Sequence, residues 1–278
     1  MTLILNGVAA SQAIKEQIKQ TVTQEREKPH LVVVLVGDNL ASEVYVKNKE
    51  KSCKEVGFMS SVKRYDSTIS QEALFKELDK LNNDKDIHGI IVQLPLPNHI
   101  NANEIIDHIA PHKDVDGFHP LNVGNLHRGQ SSFVSATPLG ILRLLEFYSI
   151  DVVSKHVVVV GRSNIVGKPI AALLLNANAT VTITHSKTKN LMHHTKQADI
   201  LIVAVGIKQL ITEEYVKEGV VIVDVGIHRN DDGTLCGDVH PSAYALSSAY
   251  SPVPKGVGPM TIAALLLNTL QAFQERGR

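Results

Sequence analysis

Short apolar runs alternate with helix-periodic segments along almost the whole chain, and this alternation strongly constrains the fold. Leu31 to Val36 is a continuous apolar run that ends at a glycine, which indicates a buried strand. Before it, Ile14, Ile18 and Val22 recur every fourth residue, as on one face of a helix. Strands that alternate with helices predict parallel sheets with crossover helices, and therefore an α/β fold.

The predicted elements fall into two groups that are separated by a long connection. The first group has strands at 31–36, 62–65 and 87–94 and helices around 14–22, 41–56 and 70–81. The second has strands at 156–160, 180–184, 200–205 and 220–225 and helices at 139–148, 169–175, 212–217 and 260–273. Residues 111–138 read as the connection between them, which is either functional or a domain junction. A chain of 278 residues fits two domains.

Charge and composition argue against several classes of protein. Twenty-eight basic residues balance 28 acidic ones, whereas nucleic-acid-binding proteins usually carry a basic excess. The longest uninterrupted apolar run, Ile262 to Leu267, is far too short to span a bilayer. Two cysteines form no disulfide framework and match no metal spacing, and the 13 histidines offer no convincing ligand pair. We therefore expect no nucleic-acid partner, no membrane partner and no metal, and a cytoplasmic location.

The segment Val157 to Pro169 has the order strand, glycine turn, helix, which is the context in which a helix N-terminus can hold a pyrophosphate. Gly161 and Gly167 occupy the outer positions of the dinucleotide fingerprint, and Ser163 takes the middle one. A purely structural turn explains this segment alone equally well. The strand–helix repeats that follow favour the cofactor interpretation.

The end of the next predicted strand distinguishes the two nicotinamide cofactors. An NAD site usually has Asp or Glu there, about 20 residues after the glycine turn, to bind the ribose 2′-hydroxyl. This chain has Thr184-His185-Ser186-Lys187 instead, and Arg162 lies in the glycine turn. Positive charge and hydroxyl donors suit a 2′-phosphate, so we favour NADP over NAD. The alternative is a solvated polar loop.

Tyr45 and Lys49 lie four residues apart in a predicted helix and therefore share one face. A Tyr hydroxyl beside a Lys amine can serve as an acid/base pair. By spacing alone, an exposed Tyr next to a solvated Lys is the better explanation. Tyr-x-x-x-Lys also occurs in the short-chain dehydrogenases, where it follows the glycine turn. Here it comes far before that turn, which counts against the short-chain interpretation.

Two further sites carry polar groups where ligand-binding residues are common. Gln93 ends a predicted apolar strand, and α/β proteins bind ligands at the carboxyl ends of parallel strands. A satisfied amide bonded to nearby loop backbone is the alternative. Asp114 and Asp116 lie in the long connection, where one carboxylate can accept two N–H bonds from an amino-pyrimidinone edge. Ordinary Asp-Gly turn chemistry is the alternative there.

Taken together, these segments resemble the bifunctional methylenetetrahydrofolate dehydrogenase/methenyltetrahydrofolate cyclohydrolase family. The resemblance runs in the family's order over nearly the whole chain, and the set of motifs is highly specific although each motif is weak alone. The motifs are Tyr45-Val-Lys-Asn-Lys49-Glu-Lys51, Val92-Gln-Leu-Pro-Leu-Pro97, Lys113-Asp-Val-Asp-Gly-Phe118, Thr137-Pro-Leu-Gly140, Val160-Gly-Arg-Ser-Asn-Ile-Val-Gly167 and Pro252-Val-Pro-Lys-Gly-Val-Gly-Pro-Met-Thr261.

The resemblance implies an enzyme of one-carbon folate metabolism with two α/β domains. Residues 1–138, completed by 259–278, would form a catalytic, folate-binding domain to which the last helix returns. Residues 139–258 would form a Rossmann-type NADP-binding domain. The folate would lie in the cleft between the domains, and the family typically forms homodimers through its Rossmann domains. The implied reactions are oxidation of methylenetetrahydrofolate with NADP and hydrolysis of the methenyl product to formyltetrahydrofolate.

The resemblance also implies roles for individual residues. Lys49 would be the catalytic base or would orient water, with Tyr45 positioning it and Gln93 bonded to it. Asp116 would hold the pterin edge of the substrate. Further substrate contacts would be made by Tyr45, Pro252 and Gly256. Cofactor contacts would be made by Gly161, Arg162, Ser163, Gly167, His185, Ser186 and Ile227.

Two positions depart from the family pattern. Lys255 stands where the family commonly has glycine, and Ser251 replaces a common threonine. If position 255 requires a positive φ, a lysine there costs about 1 kcal/mol of strain. It also brings a charge near the expected nicotinamide loop, so the backbone shape of that loop is an open question at the sequence level.

Two other functions stay open from the sequence. A dehydrogenase without cyclohydrolase activity would be indicated if Lys49 were not directed at the folate. A catalytically silent dinucleotide-binding module is the second alternative. The intact set of Tyr45, Lys49, Gln93 and Asp116 argues against it.

Overall fold

Strands and helices alternate along residues 2–276, the part of the chain that the computed structural model describes, apart from the side chains of residues 40 and 41. The elements of the first half are β1 (Leu3–Ile4), α1 (Gly7–Thr23), β2 (His30–Val36), α2 (Leu40–Val56), β3 (Met59–Tyr65), α3 (Gln71–Asn83), β4 (Gly89–Val92), α4 (Ala102–His108) and α5 (Pro120–His127). Those of the second half are α6 (Ala136–Phe147), β5 (His156–Val160), α7 (Gly167–Asn176), β6 (Thr180–Thr184), α8 (Leu191–Thr195), β7 (Ile200–Val203), a 3₁₀ turn (Glu213–Tyr215), β8 (Val221–Asp224), β9 (His228–Arg229), β10 (Leu235–Cys236), α9 (Pro241–Leu246), β11 (Ala249–Tyr250) and α10 (Val257–Gln274). Within these residues no helix combines the length and apolar character needed to cross a bilayer.

The described chain divides into two compact α/β units, which confirms the predicted fold class. The N-terminal unit comprises residues 13–134 and 265–276, and the second unit comprises residues 2–12 and 135–264. The last helix thus ends in the N-terminal unit, but its residues 259–264, which were expected there too, group with the second unit. Residues 2–12 differ from the expected division, because β1 pairs with β11 in the sheet of the second unit.

The N-terminal unit is built on a parallel sheet with the strand order β3-β2-β4. β2 is buried over six of its seven residues, which explains its continuous apolar sequence. α3 buries Leu74, Leu78 and Leu81 against the sheet, and its N-terminus is capped by Ser70, whose Oγ accepts from Ala73 N at 3.2 Å. The strands direct their carboxyl ends to one edge of the sheet, where Gln93 follows β4.

The segment that follows α4 is fixed to β4 as a short parallel bridge. Ile90 pairs with Asp114, and Ile90 N donates to Lys113 O at 2.8 Å. From α10, Asn268 Nδ2 donates to both Val115 O and Val134 O at 2.8 Å. This register places Asp116 two residues beyond the bridge, beside the end of β4.

The second unit is built on a six-stranded parallel sheet in the order β1-β11-β8-β7-β5-β6. The central strands β5 and β7 are almost wholly buried, which agrees with their Val- and Ile-rich sequences. The predicted bounds of β5 and β6 are confirmed at both ends. Because all six strands are parallel, the loops after β5, β6, β7 and β8 lie along one edge.

Two predictions of local structure are wrong. The connection 111–138 contains α5, which begins at Pro120 and is capped by His119, whose Nδ1 accepts from Leu121 N at 3.0 Å. The glycine and asparagines in this segment are unfavourable in helices, so its sequence did not indicate one. The helix is stabilised by its N-terminal cap and by tertiary contacts. The predicted helix at 212–217 is only a 3₁₀ turn, because Val216 turns to an extended conformation and packs into the core.

Candidate active site

Lys49 and Gln93 form a hydrogen-bonded pair at the carboxyl edge of the N-terminal sheet. Lys49 Nζ donates to Gln93 Oε1 at 3.0 Å. Gln93 Nε2 donates in turn to Leu94 O at 2.9 Å, and Gln93 N donates to Val34 O at 2.9 Å. The amide is therefore held at both ends, so its oxygen faces Lys49.

Asp116 is the acidic neighbour of Lys49 in this unit. Burial raises the pKa of the Asp116 carboxyl, the Lys49 charge opposes that rise, and Asp114 adds to it. Among the side chains of residues 2–276, none forms a hydrogen bond with this carboxyl group. A partly buried carboxylate with no hydrogen-bonding side chain favours an incoming ligand with N–H donors.

Asp114 has a structural role, although it lies only two residues away. Its side chain is almost fully buried, and Oδ2 accepts from His119 N at 2.8 Å and from Asn122 Nδ2 at 2.9 Å. These bonds connect the bridge segment to α5. Of the two carboxylates in the motif, only Asp116 is available to bind a substrate.

Tyr45 lies one helical turn before Lys49 in α2, on the same side of the helix. Its side chain is 59% exposed. Within the described residues no hydrogen bond joins Tyr45 to Lys49, which is bonded to Gln93 instead. The geometry thus leaves the Tyr45 ring open to solvent, where it can pack against a ligand.

The glycine turn after β5 fits a dinucleotide. Gly161 has φ 127°, and a Cβ there would overlap Ala204 O; a Cβ on Gly167 would overlap Gly161 O. Ser163 Oγ accepts from Val166 N at 3.1 Å and Gly167 N at 3.3 Å, which leaves its hydroxyl hydrogen free to donate. The two glycines therefore let the turn pack tightly against the end of β7 and against its own backbone, the compact shape that precedes a pyrophosphate-binding helix N-terminus.

Donors surround the end of the neighbouring strand β6. His185 N donates to Thr188 Oγ1 at 2.9 Å, and His185 Nδ1 accepts from Lys187 N at 3.1 Å, so a tight turn follows the strand. Ser186, Lys187 and Arg162 are exposed. The residues predicted for the 2′-phosphate thus lie on adjacent loops, because β5 and β6 are paired in register.

Ile227, Pro252 and Gly256 lie together in the second unit. They line a cavity of about 260 Å³ whose walls come from the loop after β8 and from residues 252–259. Ile227 is 60% exposed. An apolar wall of this kind suits the flat ring of a ligand.

Lys255 occupies the left-handed region, with φ 82°. The sequence left open whether this position requires a positive φ, and the structure shows that it does. Lys255 O accepts from Gly7 N at 2.8 Å, so this backbone shape is held by the start of α1. The lysine is therefore strained where glycine would not be.

Lys255→Gly is expected to raise the free energy of unfolding. Release of about 1–2 kcal/mol of strain outweighs roughly 0.4–1 kcal/mol for the greater freedom of glycine in the unfolded chain. Lys255→Ala is the matched control, since it removes the charge and keeps the strain. Urea unfolding measures both, and equal stability of the two variants would contradict a strained φ at this position.

The sequence did not identify three polar residues behind the loops after β7 and β8: Asp224, His228 and Asp238. Asp224 and Asp238 are buried, and burial raises the pKa of Asp224. The available signal for Asp224 was its position as the last residue of an apolar strand, comparable to that of Gln93 directly after β4. Within residues 2–276 no group of three or more His, Cys, Asp or Glu side chains is arranged to hold a metal ion.

Two family profiles match the chain. The one described as the tetrahydrofolate dehydrogenase/cyclohydrolase catalytic domain matches residues 5–116. The one described as the NAD(P)-binding domain of the same family matches residues 135–277. The matched ranges contain the residues of the Lys49–Gln93 site and of the glycine turn, respectively.

Relatives match over nearly the full length of the chain. The bifunctional protein FolD of Oceanobacillus iheyensis is 52% identical over 98% of this chain and 97% of its own length. The crystal structure of the bifunctional FolD enzyme of Campylobacter jejuni is 48% identical, with a TM-score of 0.96 over 99% of this chain and 100% of that one. A Trypanosoma brucei methylenetetrahydrofolate dehydrogenase-cyclohydrolase, solved with NADP and an inhibitor, is 34% identical, with a TM-score of 0.92 over 100% of this chain and 99% of that one.

Proposed function

Because the chain belongs to the tetrahydrofolate dehydrogenase/cyclohydrolase family, we propose that its two reactions depend on different groups of its residues. The protein oxidises methylenetetrahydrofolate to methenyltetrahydrofolate with NADP and hydrolyses the product to formyltetrahydrofolate. The proposal concerns which side chains bind, orient and exchange protons in each step.

The oxidation needs orientation rather than a base. The methylene carbon lies between two nitrogens, and it loses a hydride, with both bonding electrons, to the nicotinamide of NADP. The nitrogens delocalise the resulting positive charge, so no proton has to be removed by the protein. Asp116 would bind the pterin edge and Tyr45 would pack against the folate, which fixes the position of the reacting carbon.

The hydrolysis needs a proton acceptor, and Lys49 is proposed for that role. Water adds to the methenyl carbon and loses one proton to the base, which leaves a hydroxyl on that carbon. One carbon–nitrogen bond then breaks as the carbonyl forms, and the released nitrogen takes up the proton that the hydroxyl loses. Gln93 Oε1 accepts one hydrogen of the Lys49 nitrogen. In the neutral amine this restricts the lone pair to two directions, and in either of them it can accept a proton from a water molecule placed there.

The observation that carries the proposal is the 3.0 Å hydrogen bond from Lys49 Nζ to Gln93 Oε1, since the Gln93 amide is itself fixed by its bond to Leu94 O. Absorbance of the methenyl folate after mixing protein, methylenetetrahydrofolate and NADP tests it. We expect the methenyl band to rise and then to decay as the formyl product forms. No methenyl band with either NADP or NAD would contradict the assignment.

Backbone and side chains of the second unit are proposed to hold NADP. The glycine turn would bind the pyrophosphate, and the exposed donors after β6 would bind the 2′-phosphate. Ile227 would contact the nicotinamide half, and Pro252 and Gly256 line the same cavity. The proposed cofactor contacts are Gly161, Arg162, Ser163, Gly167, His185, Ser186 and Ile227.

Arg162→Ala is expected to weaken binding of NADP more than binding of NAD, by about 1–3 kcal/mol for a charge-assisted contact. The control is Lys155→Ala, which removes an exposed cation at the opposite end of β5. Isothermal titration with each cofactor measures the difference. Equal or better catalytic efficiency with NAD in the unmutated protein would contradict the 2′-phosphate assignment.

We also propose a homodimer and a cytoplasmic location. β6 is an edge strand of its sheet, and Ile183 on it is 42% exposed, which supports pairing of two copies there. Both cysteines, Cys53 and Cys236, are free thiols, which agrees with a reducing compartment. Light scattering in solution gives the mass that tests the dimer.

A further inference from the structure

We infer that Asp238 is a positioning residue for the NADP site, which sets the spacing between the loops after β7 and β8. The inference rests on the proposed place of NADP at this edge of the sheet. Asp238 follows β10 and is completely buried. Its Oδ2 accepts from Val205 N at 2.8 Å and from Gly206 N at 3.0 Å, the backbone amides just after β7.

The second oxygen of Asp238 binds the first residue of β9, which comes directly after the loop that follows β8. His228 Nε2 lies 2.7 Å from Asp238 Oδ1, and the His228 side chain is 21% exposed. Since a carboxylate oxygen accepts, we place the ring proton on Nε2 of His228. One carboxylate thus joins the two loops through three hydrogen bonds.

A second buried carboxylate holds Asp238 itself. Asp224 Oδ1 accepts from Asp238 N and from Gly226 N, both at 3.0 Å. Asp224 Oδ2 accepts from Val239 N at 3.0 Å and from Tyr244 Oη at 2.7 Å. Gly226 passes so close to the Asp238 carboxylate that a Cβ on it would overlap that group. The position of the Asp238 side chain is therefore tightly fixed.

Both loops that Asp238 joins contact proposed cofactor-binding residues. Ala204, directly before Val205, packs its carbonyl oxygen against Gly161 of the glycine turn. Ile227, directly before His228, faces the cavity lined by residues 252–259. One path from Gly161 to Ile227 thus runs through Asp238, in addition to the direct pairing of β7 with β8. Loss of the Asp238 hydrogen bonds is expected to change the distance between the glycine turn and Ile227. The pyrophosphate and the nicotinamide of NADP could then not bind both regions at once.

The test measures NADP affinity of three variants, with cyclohydrolase activity assayed without NADP as an internal report on folding. Asp238→Asn removes the charge, His228→Ala removes one donor, and His228→Gln restores an N–H at the position of Nε2. Because each of Asp238→Asn and His228→Ala weakens a charge-assisted hydrogen bond, we expect the NADP dissociation constant to rise by about tenfold in both variants. His228→Gln should stay within about threefold of the unmutated protein.

Asp232→Asn is the matched control, because Asp232 lies in the same β9–β10 segment and its side chain accepts from Thr234 rather than from the loop after β7 or from His228. It should bind NADP as the unmutated protein does. Hydrogen exchange at Val205 and Gly206 should speed up in Asp238→Asn and His228→Ala. If Asp238→Asn does not fold, the two His228 variants decide the question.

The inference is overturned if both His228 variants bind NADP equally well, or if His228→Ala loses cyclohydrolase activity in proportion to NADP affinity. The latter would mean that the network only stabilises the fold. Failure of the unmutated protein to bind NADP would instead contradict the proposed cofactor site. The two failures are therefore distinguishable.

Discussion

Lys49→Met should lower the cyclohydrolase rate by about 100- to 10,000-fold, the usual contribution of a general base, while measurable dehydrogenase activity remains. Water addition needs a proton acceptor, whereas hydride transfer needs only orientation. Methionine keeps the length and apolar part of the side chain but has no proton-accepting amine. Methenyl folate should then accumulate with NADP and not proceed to the formyl product, as followed by its absorbance.

Some loss of dehydrogenase activity is also expected in Lys49→Met, because Gln93 loses the partner of its Oε1. Lys54→Met is the control, since Lys54 is an exposed lysine on the same helix. It should keep both activities. Equal losses of both activities in Lys49→Met would mean that Lys49 mainly positions substrate, and full cyclohydrolase activity would reject its catalytic role.

Asp116→Ala is expected to lower kcat/KM for the folate in both reactions by about 100-fold or more, because two charge-assisted hydrogen bonds to the pterin edge are lost. The NADP dissociation constant should stay near its original value, since Asp116 and the glycine turn belong to different units. Steady-state kinetics with varied folate and a separate NADP titration measure the two effects.

Asp86→Ala is the control for Asp116→Ala. Asp86 is an exposed acidic residue before β4, at the opposite end of that strand from Gln93. This variant should keep normal folate kinetics. If Asp116→Ala also keeps them, Asp116 is only a turn residue and the substrate assignment is wrong.

The folate KM of the unmutated protein should depend on pH through Asp116. Burial raises the pKa of this carboxyl, so it takes up a proton at a higher pH than an exposed aspartate does. Only the ionised form accepts two N–H bonds, so the KM should rise as pH falls through that raised pKa. In Asp116→Asn this rise should be absent, which a pH series of initial rates checks.

The sequence predicted the fold class and strands β5 to β8 of the second unit well, but it did not predict the two-residue strands β1, β9, β10 and β11. β5 and β6 are short runs rich in β-branched residues, and their bounds follow directly from that composition. α5 and the turn at Glu213–Tyr215 were missed, because caps and core contacts decide such short elements. Residues 2–12 group with the second unit because β1 and β11 pair across almost the whole length of the chain.

The motifs also pointed to the residue types of the site but not to the roles of similar neighbours. Asp114 and Asp116 are alike in sequence. Only the structure shows that the Asp114 carboxylate accepts hydrogen bonds from His119 N and Asn122 Nδ2. No side chain among the described residues donates a hydrogen bond to Asp116. Likewise the spacing of Tyr45 and Lys49 alone favoured an exposed Tyr beside a solvated Lys. The tertiary structure leaves Tyr45 exposed but bonds Lys49 to Gln93.

The sequence by itself determined the alternation of strands and helices, the glycine turn and the family motifs, because these depend on local periodicity and on residues close along the chain. The tertiary structure alone decided which carboxylates are satisfied, that Lys255 is strained, and that Asp238 joins two loops. Those properties depend on atoms from segments far apart in sequence, such as Val205 and Asp238. Their hydrogen bonds exist only once the parallel strands have brought the loops to one edge of the sheet.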